Sequence, residues 1–289
     1  MTLKAALDER HLAPRKKWGQ HFLTDRRILE SIVAAADVTS TDCVLEIGPG
    51  LGHLTRVLAE HAGQVIAVEV DPGLAEKLTT DFAASDNVKI LRGDVLEHTP
   101  SDWLKQAGVN PASSLAYKVV ANLPYYITSA ILRHLLEADQ KPRVIVAMVQ
   151  REVAARMTAL PPKTNLLAVS VQFFASVRVM RKIAAGAFYP RPRVDSAVVR
   201  LDVIESAARG DAARKFFDVV SAGFGERRKQ LRNSIAQGLG LTLDAAQSAL
   251  LRAQIDPTRR AETLTLNEWR ALARALTGDI EPRTPRRQL

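Results

Sequence analysis

The sequence predicts an α/β protein: a doubly wound, mostly parallel sheet followed by a small all-helical domain. Three observations carry that expectation. From Cys43 to Met148, apolar β-branched runs alternate with amphipathic patterns, as in a sheet covered on both faces by crossover helices. A glycine-rich stretch, Gly48-Pro49-Gly50-Leu51-Gly52, joins the first run to a helix. Beyond about residue 205, the remaining segments read helical.

Residues 43–48 (CVLEIG) read as the first strand and 52–62 (GHLTRVLAEHA) as its helix. The pair 64–70 (QVIAVEV) and 72–83 (PGLAEKLTTDFA) repeats the unit. Strands follow at 87–94, at 117–125 with helix 128–138, and at 143–149 with helix 151–160. The runs 167–183 (LAVSVQFFASVRVMRKI) and 196–204 (SAVVRLDVI) read as further strands, an antiparallel addition to one edge. Small polar residues around 204–212 mark a boundary. The expected domains are therefore 1–205, with a basic segment 1–27, and 206–289. The second holds helical segments at 214–224, 227–239, 243–254 and 266–276, then a frayed basic tail.

Composition is that of a soluble globular protein, 47% hydrophobic and 25% charged. No apolar run approaches the ~20 residues that span a bilayer, and the N-terminus has no apolar signal core. A cytoplasmic location is expected, with no membrane partner. One cysteine, Cys43, permits no internal disulfide and reads as a buried strand thiol. Neither it nor the six histidines show metal-ligand spacing, so no metal is expected.

The net charge of +9 is unevenly spread. Residues 1–27 hold seven Lys/Arg against three Asp/Glu, 28–204 hold 18 of each, and 205–289 hold 15 against 10. Basic ends around a neutral middle point to a polyanionic partner, most often nucleic acid. The densest clusters are Arg15-Lys16-Lys17 and Arg227-Arg228-Lys229 with Arg232. Arg228 and Arg232 would share a helix face at i, i+4, and such residues would grip phosphates.

The ends of successive parallel strands meet in one crevice, where ligands bind. Gly48, Gly50 and Gly52 allow a tight turn and close approach to a ligand. Dinucleotides, nucleotides and S-adenosylmethionine all use such a loop. Glu46 lies just before it, which favours a cationic ligand, a sulfonium or an ammonium, over a pyrophosphate. Glu69, about 20 residues past the glycines, stands where an acid holds ribose hydroxyls. Asp94, at the third strand end, could accept from an adenine amine.

Asn122-Leu123-Pro124-Tyr125 ends the fourth strand. The Asn122 side-chain carbonyl and a backbone carbonyl beside it can both accept from one exocyclic NH₂, and Pro124 brings no competing N–H. Accepting both protons frees the amine lone pair to attack a methyl sulfonium. Tyr125 offers a face for base stacking, worth roughly 1–3 kcal/mol.

With these motifs assembled, the chain resembles the small-subunit (16S) ribosomal RNA adenine N6,N6-dimethyltransferases of the KsgA type. The resemblance covers nearly the whole chain: GQHFLTD (19–25), EIGPGLGHLT (46–55), VEVD, GDVL, NLPYYI, FYPRPRVDSAVV (188–199) and FGERRKQLRNSI (224–235). It implies a Rossmann-like methyltransferase sheet, S-adenosylmethionine as methyl donor, and dimethylation of two adjacent adenines near the 3′ end of 16S rRNA. The implied partner is the 30S subunit or a late assembly precursor, met by a monomer.

By the same resemblance, His21 and Leu23 would close over the cofactor, with Gly48, Glu69 and Asp94 touching it. Tyr125 and Phe188 would sandwich a flipped adenine. The prolines around Phe188 favour an exposed, rigid loop. His21 departs from the more frequent Asn, and no Tyr-Gly pair precedes the LxVxxQ segment. Alternatives are a large-subunit (23S) rRNA adenine methylase, and a nucleic-acid-binding assembly factor whose methylation is incidental.

Overall fold

The computed structural model describes residues 20–110, 117–205, 210–226 and 228–276. A two-residue strand, β1 (Phe22–Leu23), leads into α1 (Arg26–Ala35). Asp25 caps that helix, accepting from the Arg27 N–H at 2.9 Å. The alternation then runs β2 (Cys43–Ile47), α2 (His53–His61), β3 (Gln64–Glu69), α3 (Pro72–Asp81), β4 (Val88–Arg92) and α4 (Pro100–Gln106). It continues with β5 (Lys118–Asn122), α5 (Thr128–Glu137), β6 (Val144–Gln150) and α6 (Arg151–Met157). Local chemistry sets several starts. Asp71 caps α3 ahead of Pro72, and Thr99 with Asp102 forms a capping box on α4.

After α7 (Leu166–Phe174) come β7 (Ala175–Ile183), β8 (Phe188–Tyr189) and β9 (Ser196–Val203). The main sheet has seven strands in the order β4-β3-β2-β5-β6-β9-β7. β4, β3, β2, β5 and β6 pair in parallel, and β9 and β7 join antiparallel. The chain reverses its direction of winding between β2 and β5, the switch point where a crevice opens at the strand ends. β2 is buried at every position, as a central strand covered on both faces must be. One core face packs Ile32, Val44, Leu58, Val120, Val146 and Val198. β8 lies apart from this sheet, paired antiparallel with β1.

The described residues fall into two compact units. The first runs up to Thr158 and resumes over Phe174–Glu205. The second joins Ala159–Phe173 to the described residues beyond Glu205. Ala159–Phe173, placed by the sequence in the first domain, thus groups with the second unit, where Phe173 stacks on Phe216 with centroids 4.2 Å apart. The second unit contains α8 (Gly210–Phe224), α9 (Leu231–Leu239), α10 (Leu243–Arg252) and α11 (Leu266–Leu276) around the buried Trp269.

Two expectations are corrected. Residues 167–174, expected as strand, form most of α7. A continuous apolar run is compatible with either element, and the Asn165 side chain decides by accepting the Ala168 N–H at 3.1 Å. The helix expected from residue 227 is not found over residues 228–230, where the described chain turns, and α9 begins at Leu231, while Arg227 lies outside the described residues. The Leu231 and Arg232 N–H groups bond the carbonyls of Arg259 and Pro257 at 2.7 and 3.2 Å, which satisfies the first-turn donors and fixes the start of the helix there. Arg228 lies in the preceding turn, so Arg228 and Arg232 do not share a helix face.

Candidate active site

The carboxyl ends of β2, β3 and β5 surround a cavity of about 110 Å³. Its wall includes His21, Leu23, Glu46, Gly48, Gly50, Glu69, Asp94, Asn122, Pro124 and Tyr125, so these sequence-predicted residues meet at one place. The glycine loop is built for this position. Gly48 has φ +67°, and a Cβ there would meet nothing within 4 Å. Its N–H donates to the Val68 carbonyl at 3.0 Å, tying the loop to β3.

Two buried carboxyl groups lie beneath the loop. Glu69 accepts the Gly50 N–H at 3.0 Å on one oxygen and the Asp71 N–H at 2.9 Å on the other. Burial raises its pKa, and these backbone bonds oppose that rise. Glu46 is 1% exposed. Burial pushes its carboxyl up to about 8; the Thr55 hydroxyl opposes this and the charge of Glu69 adds to it. Within hydrogen-bond distance, neither Glu46 Oε2 nor Thr55 Oγ1 finds a partner. An unpartnered carboxylate oxygen facing a cavity is costly, and a cationic or hydrogen-donating ligand would satisfy it. Asp94 Oδ1 accepts the Leu96 N–H at 3.0 Å, which fixes the turn after β4.

The Asn-Leu-Pro-Tyr corner closes the opposite wall. Asn122 Nδ2 donates to the His21 carbonyl at 3.1 Å, which orients the amide. The Pro124 carbonyl accepts from the Thr128 hydroxyl at 3.0 Å and the Ile127 N–H at 3.3 Å. Tyr125 shares a 2.6 Å hydrogen bond with the Ser196 hydroxyl. Burial raises its phenol pKa, and Ser196 opposes the shift.

Several site residues were not foreseen. The β1–β8 pairing sets Phe22 opposite Tyr189 and Leu23 opposite Phe188, so two motifs about 165 residues apart share one small sheet. The His21 ring bonds the Pro190 carbonyl at 2.7 Å and stacks on Tyr125. Tyr126, 58% exposed, lines the same cavity; its only sequence signal is the doubled tyrosine after Pro124. His53 also lines the cavity, its imidazole pKa lowered by burial and then by Arg56.

Phe188 is a correction. The expected exposed loop is strand β8, and Phe188 is 5% exposed, packed with Leu23 and Ile183 in the core and absent from the cavity wall. Pairing with β1 removes it from solvent.

Among the proposed RNA contacts, Arg15, Lys16, Lys17 and Arg227 lie outside the described residues. Arg228 is exposed. Lys229 pairs with Glu226 at 4.0 Å and bonds Gln237 at 2.9 Å. Arg232 is half-buried and bonds Gln247 at 3.0 Å, a contact that holds α9 to α10. Cys43 is buried, which pushes its thiol up to about 11, with Asp42 contributing. Among the described residues, no group of three or more His, Cys, Asp or Glu could hold a metal ion, and no helix is long and apolar enough to cross a membrane.

A mostly parallel, doubly wound sheet with a glycine loop, acidic strand ends and an Asn-x-Pro-Tyr corner around one cavity defines a Rossmann-like methyltransferase. The chain belongs to the ribosomal RNA adenine dimethylase family, whose sequence model matches residues 12–277. It is 46% identical over 267 residues to ribosomal RNA small subunit methyltransferase A of Dehalococcoides mccartyi (strain 195), covering 92% of this chain and 89% of the relative. A protein of the same name from Pelotomaculum thermopropionicum is 45% identical, covering 91% of each chain. Among solved structures, the 23S rRNA methyltransferase ErmE superposes with TM-score 0.68 at 27% identity, over 88% of this chain and 99% of its own. A dimethyladenosine transferase from Plasmodium falciparum has the same fold, with TM-score 0.76 at 23% identity, over 89% of this chain and 98% of its own.

Proposed function

We propose that this rRNA adenine dimethyltransferase acts on two adjacent adenines near the 3′ end of 16S rRNA, in the 30S subunit or a late precursor, with S-adenosylmethionine as methyl donor. The product is N6,N6-dimethyladenosine, and the setting is small-subunit biogenesis in the cytoplasm, with the enzyme monomeric when free. The observation that carries the reading is the Asn122-Leu123-Pro124-Tyr125 corner lining the same cavity as Glu46, whose Oε2 is buried without a partner.

The residues present fit such a cofactor. Glu46 would complement its positive charge, and Gly48 leaves room for close backbone approach. Glu69 oxygens, each holding one backbone N–H, retain lone pairs for ribose hydroxyls. Asp94 would accept from the adenine amine, while His21 and Leu23 cover the site. When bound, the cofactor supplies an electrophilic methyl group.

Asn122 Oδ1 and the Leu123 carbonyl would accept the two N6 protons of the target adenine, the Pro124 carbonyl being engaged already. Tyr125 would support the extruded base. No general base is required, because the N-methylated aminium formed is strongly acidic. Arg228 and Lys229, with the cations at 15–17, would contact RNA phosphates.

The test is methyl transfer from labelled S-adenosylmethionine to 30S subunits lacking the modification, comparing the parent with Asn122→Ala. Dimethyladenosine at the adjacent 3′-end adenines, lost in the variant, is the expected result. Label in 23S rRNA instead would identify a large-subunit enzyme. Tight binding of 30S subunits with no label from either protein would identify an assembly factor on a methyltransferase scaffold.

A further inference from the structure

The neutral charge of residues 28–204 hides a division. Residues 28–150 hold nine Lys/Arg and fifteen Asp/Glu, whereas 151–204 hold nine Lys/Arg and three Asp/Glu. The excess is concentrated over 175–194, where Arg178, Arg181, Lys182, Arg191 and Arg193 occur with no acidic residue. In the fold these cations fall on β7, the edge strand of the sheet, and on the loop between β8 and β9.

Both elements present their charge to solvent. β7 is exposed over most of its length, and an irregularity between Val179 and Arg181 breaks its alternation, leaving Arg181 and Lys182 both exposed. Arg191 and Arg193 are exposed as well. Arg178 pairs with Asp202 at 2.8 Å. The other four have no ion-pair partner among the described residues.

The loop is fastened to the active site at both ends. The Pro190 carbonyl accepts from His21 at 2.7 Å, and the Ser196 hydroxyl meets the Tyr125 phenol at 2.6 Å. In between, the Asp195 carbonyl accepts the Arg151 N–H at 2.9 Å and its side chain accepts the Ala185 N–H at 3.1 Å. The loop that carries Arg191 and Arg193 is therefore bonded at one end to His21 and at the other to Tyr125, the ring proposed to carry the target base.

We infer that Arg191 and Arg193, continued by Arg181 and Lys182 along β7, form an RNA-phosphate track leading to the Tyr125 corner. This rests on the reading of Tyr125 as the base platform. Edge strands also carry Lys and Arg to block sheet-to-sheet pairing. That role accounts for cations on β7 but not for the arginines on the fastened loop. The partner chemistry is the backbone of the single-stranded or helical RNA flanking the extruded adenine, read through charge rather than sequence.

The experiment measures binding to 30S subunits lacking the modification across a salt series. It compares the parent, Arg191→Ala/Arg193→Ala, Arg181→Ala/Lys182→Ala, and Lys89→Ala/Arg92→Ala on β4 at the opposite edge of the sheet. Each phosphate that a variant no longer neutralises should reduce the slope of log K against log salt by about 0.7–0.9. The expected result is a shallower slope for the first two variants and a parental slope for the β4 control. Equal slopes in all four proteins, or an equal loss in the control, would overturn the inference.

Thermal melting verifies that each variant folds. Amine acylation of the unsubstituted protein gives a second readout: bound subunits should protect Lys182 and not Lys89, and equal labelling of both would count against the track. Methylation of the same subunits by the parent is scored separately. Its absence would refute the proposed reaction while the salt slopes still decide the track.

Discussion

The imidazole of His21 lies against the phenol ring of Tyr125, with centroids 5.7 Å apart and planes 25° apart. A base held between two rings requires about 7 Å, twice the ~3.4 Å stacking step of nucleic acid. A base laid on this face of Tyr125 therefore displaces the imidazole, whose Nδ1 is bonded to the Pro190 carbonyl at 2.7 Å. Since Phe188 is in the core, the half-buried Tyr125 is the member of the expected aromatic pair that lines the cavity.

Substitutions at Tyr125 should separate stacking from positioning. Tyr125→Ala should lower kcat/KM for the RNA substrate by the 1–3 kcal/mol scale of one base-aromatic stack, about 5- to 150-fold. Tyr125→Phe keeps the ring and loses the Ser196 bond, so it should cost about 0.5–1.5 kcal/mol of stability and retain most activity. Methylation kinetics and denaturant melts check the two together.

Two glycines in one loop should respond differently, one mainly in stability and the other mainly in cofactor binding. A Cβ at Gly52 would fall 2.6 Å from Leu78 Cδ2, at φ +77°. Gly52→Ala should therefore destabilise the fold by about 2–4 kcal/mol, combining left-handed backbone strain and overpacking. At Gly48 the added methyl meets no protein atom, so Gly48→Ala carries only the backbone cost of about 1–2 kcal/mol. Its larger effect should be weaker S-adenosylmethionine binding, measured by calorimetry alongside thermal melts.

Burial of Glu46 makes stability depend on pH. Its carboxyl is raised from 4.5 to about 8, so the folded protein binds the extra proton. The stabilisation is fully present below about pH 4.5 and is lost as pH rises through about 8, at up to roughly 1.4 kcal/mol per pH unit. Glu69, also raised by burial, acts in the same direction. Glu46→Gln should flatten the fall in Tm between pH 5 and 8. Binding of the sulfonium cofactor at pH 7 should release protons from the parent and fewer from the variant, as read by calorimetry in buffers of different ionisation enthalpy.

At the start of β5, Lys118 is 1% exposed and donates to Asp42 Oδ2 at 2.8 Å and to the Asp37 carbonyl at 2.6 Å. Lys118→Ala leaves the Asp42 carboxylate buried without that partner. It should cost about 3–5 kcal/mol in a denaturant melt, with cofactor affinity unchanged in the folded fraction.

Much of the site was legible because it depends on strand order. Glu46, Glu69, Asp94 and Asn122 lie at or next to the ends of parallel strands, and parallel winding brings those ends together whatever the loops do. The acidic residues and the Asn-Leu-Pro-Tyr corner could therefore be placed in one crevice from their positions along the chain. Local ambiguity limited the rest. The run at 166–174 is apolar without a clear period, so a single cap at Asn165 separated helix from strand. The charge cluster at 226–232 suggested one helix, where carbonyls from residues 257 and 259 delay its start.

The sequence by itself determined the alternating sheet, the glycine loop and the chemistry of the strand ends, because these arise from periodicity and from contacts between neighbouring elements. Tertiary structure decided what required distant segments to meet. Pairing of β1 with β8 brought His21 beside Pro190 and buried Phe188, and the Ser196 hydroxyl at the start of β9 fastened the arginine loop to Tyr125. Tertiary structure also raised the Glu46 carboxyl, by removing it from water and setting it near the charge of Glu69.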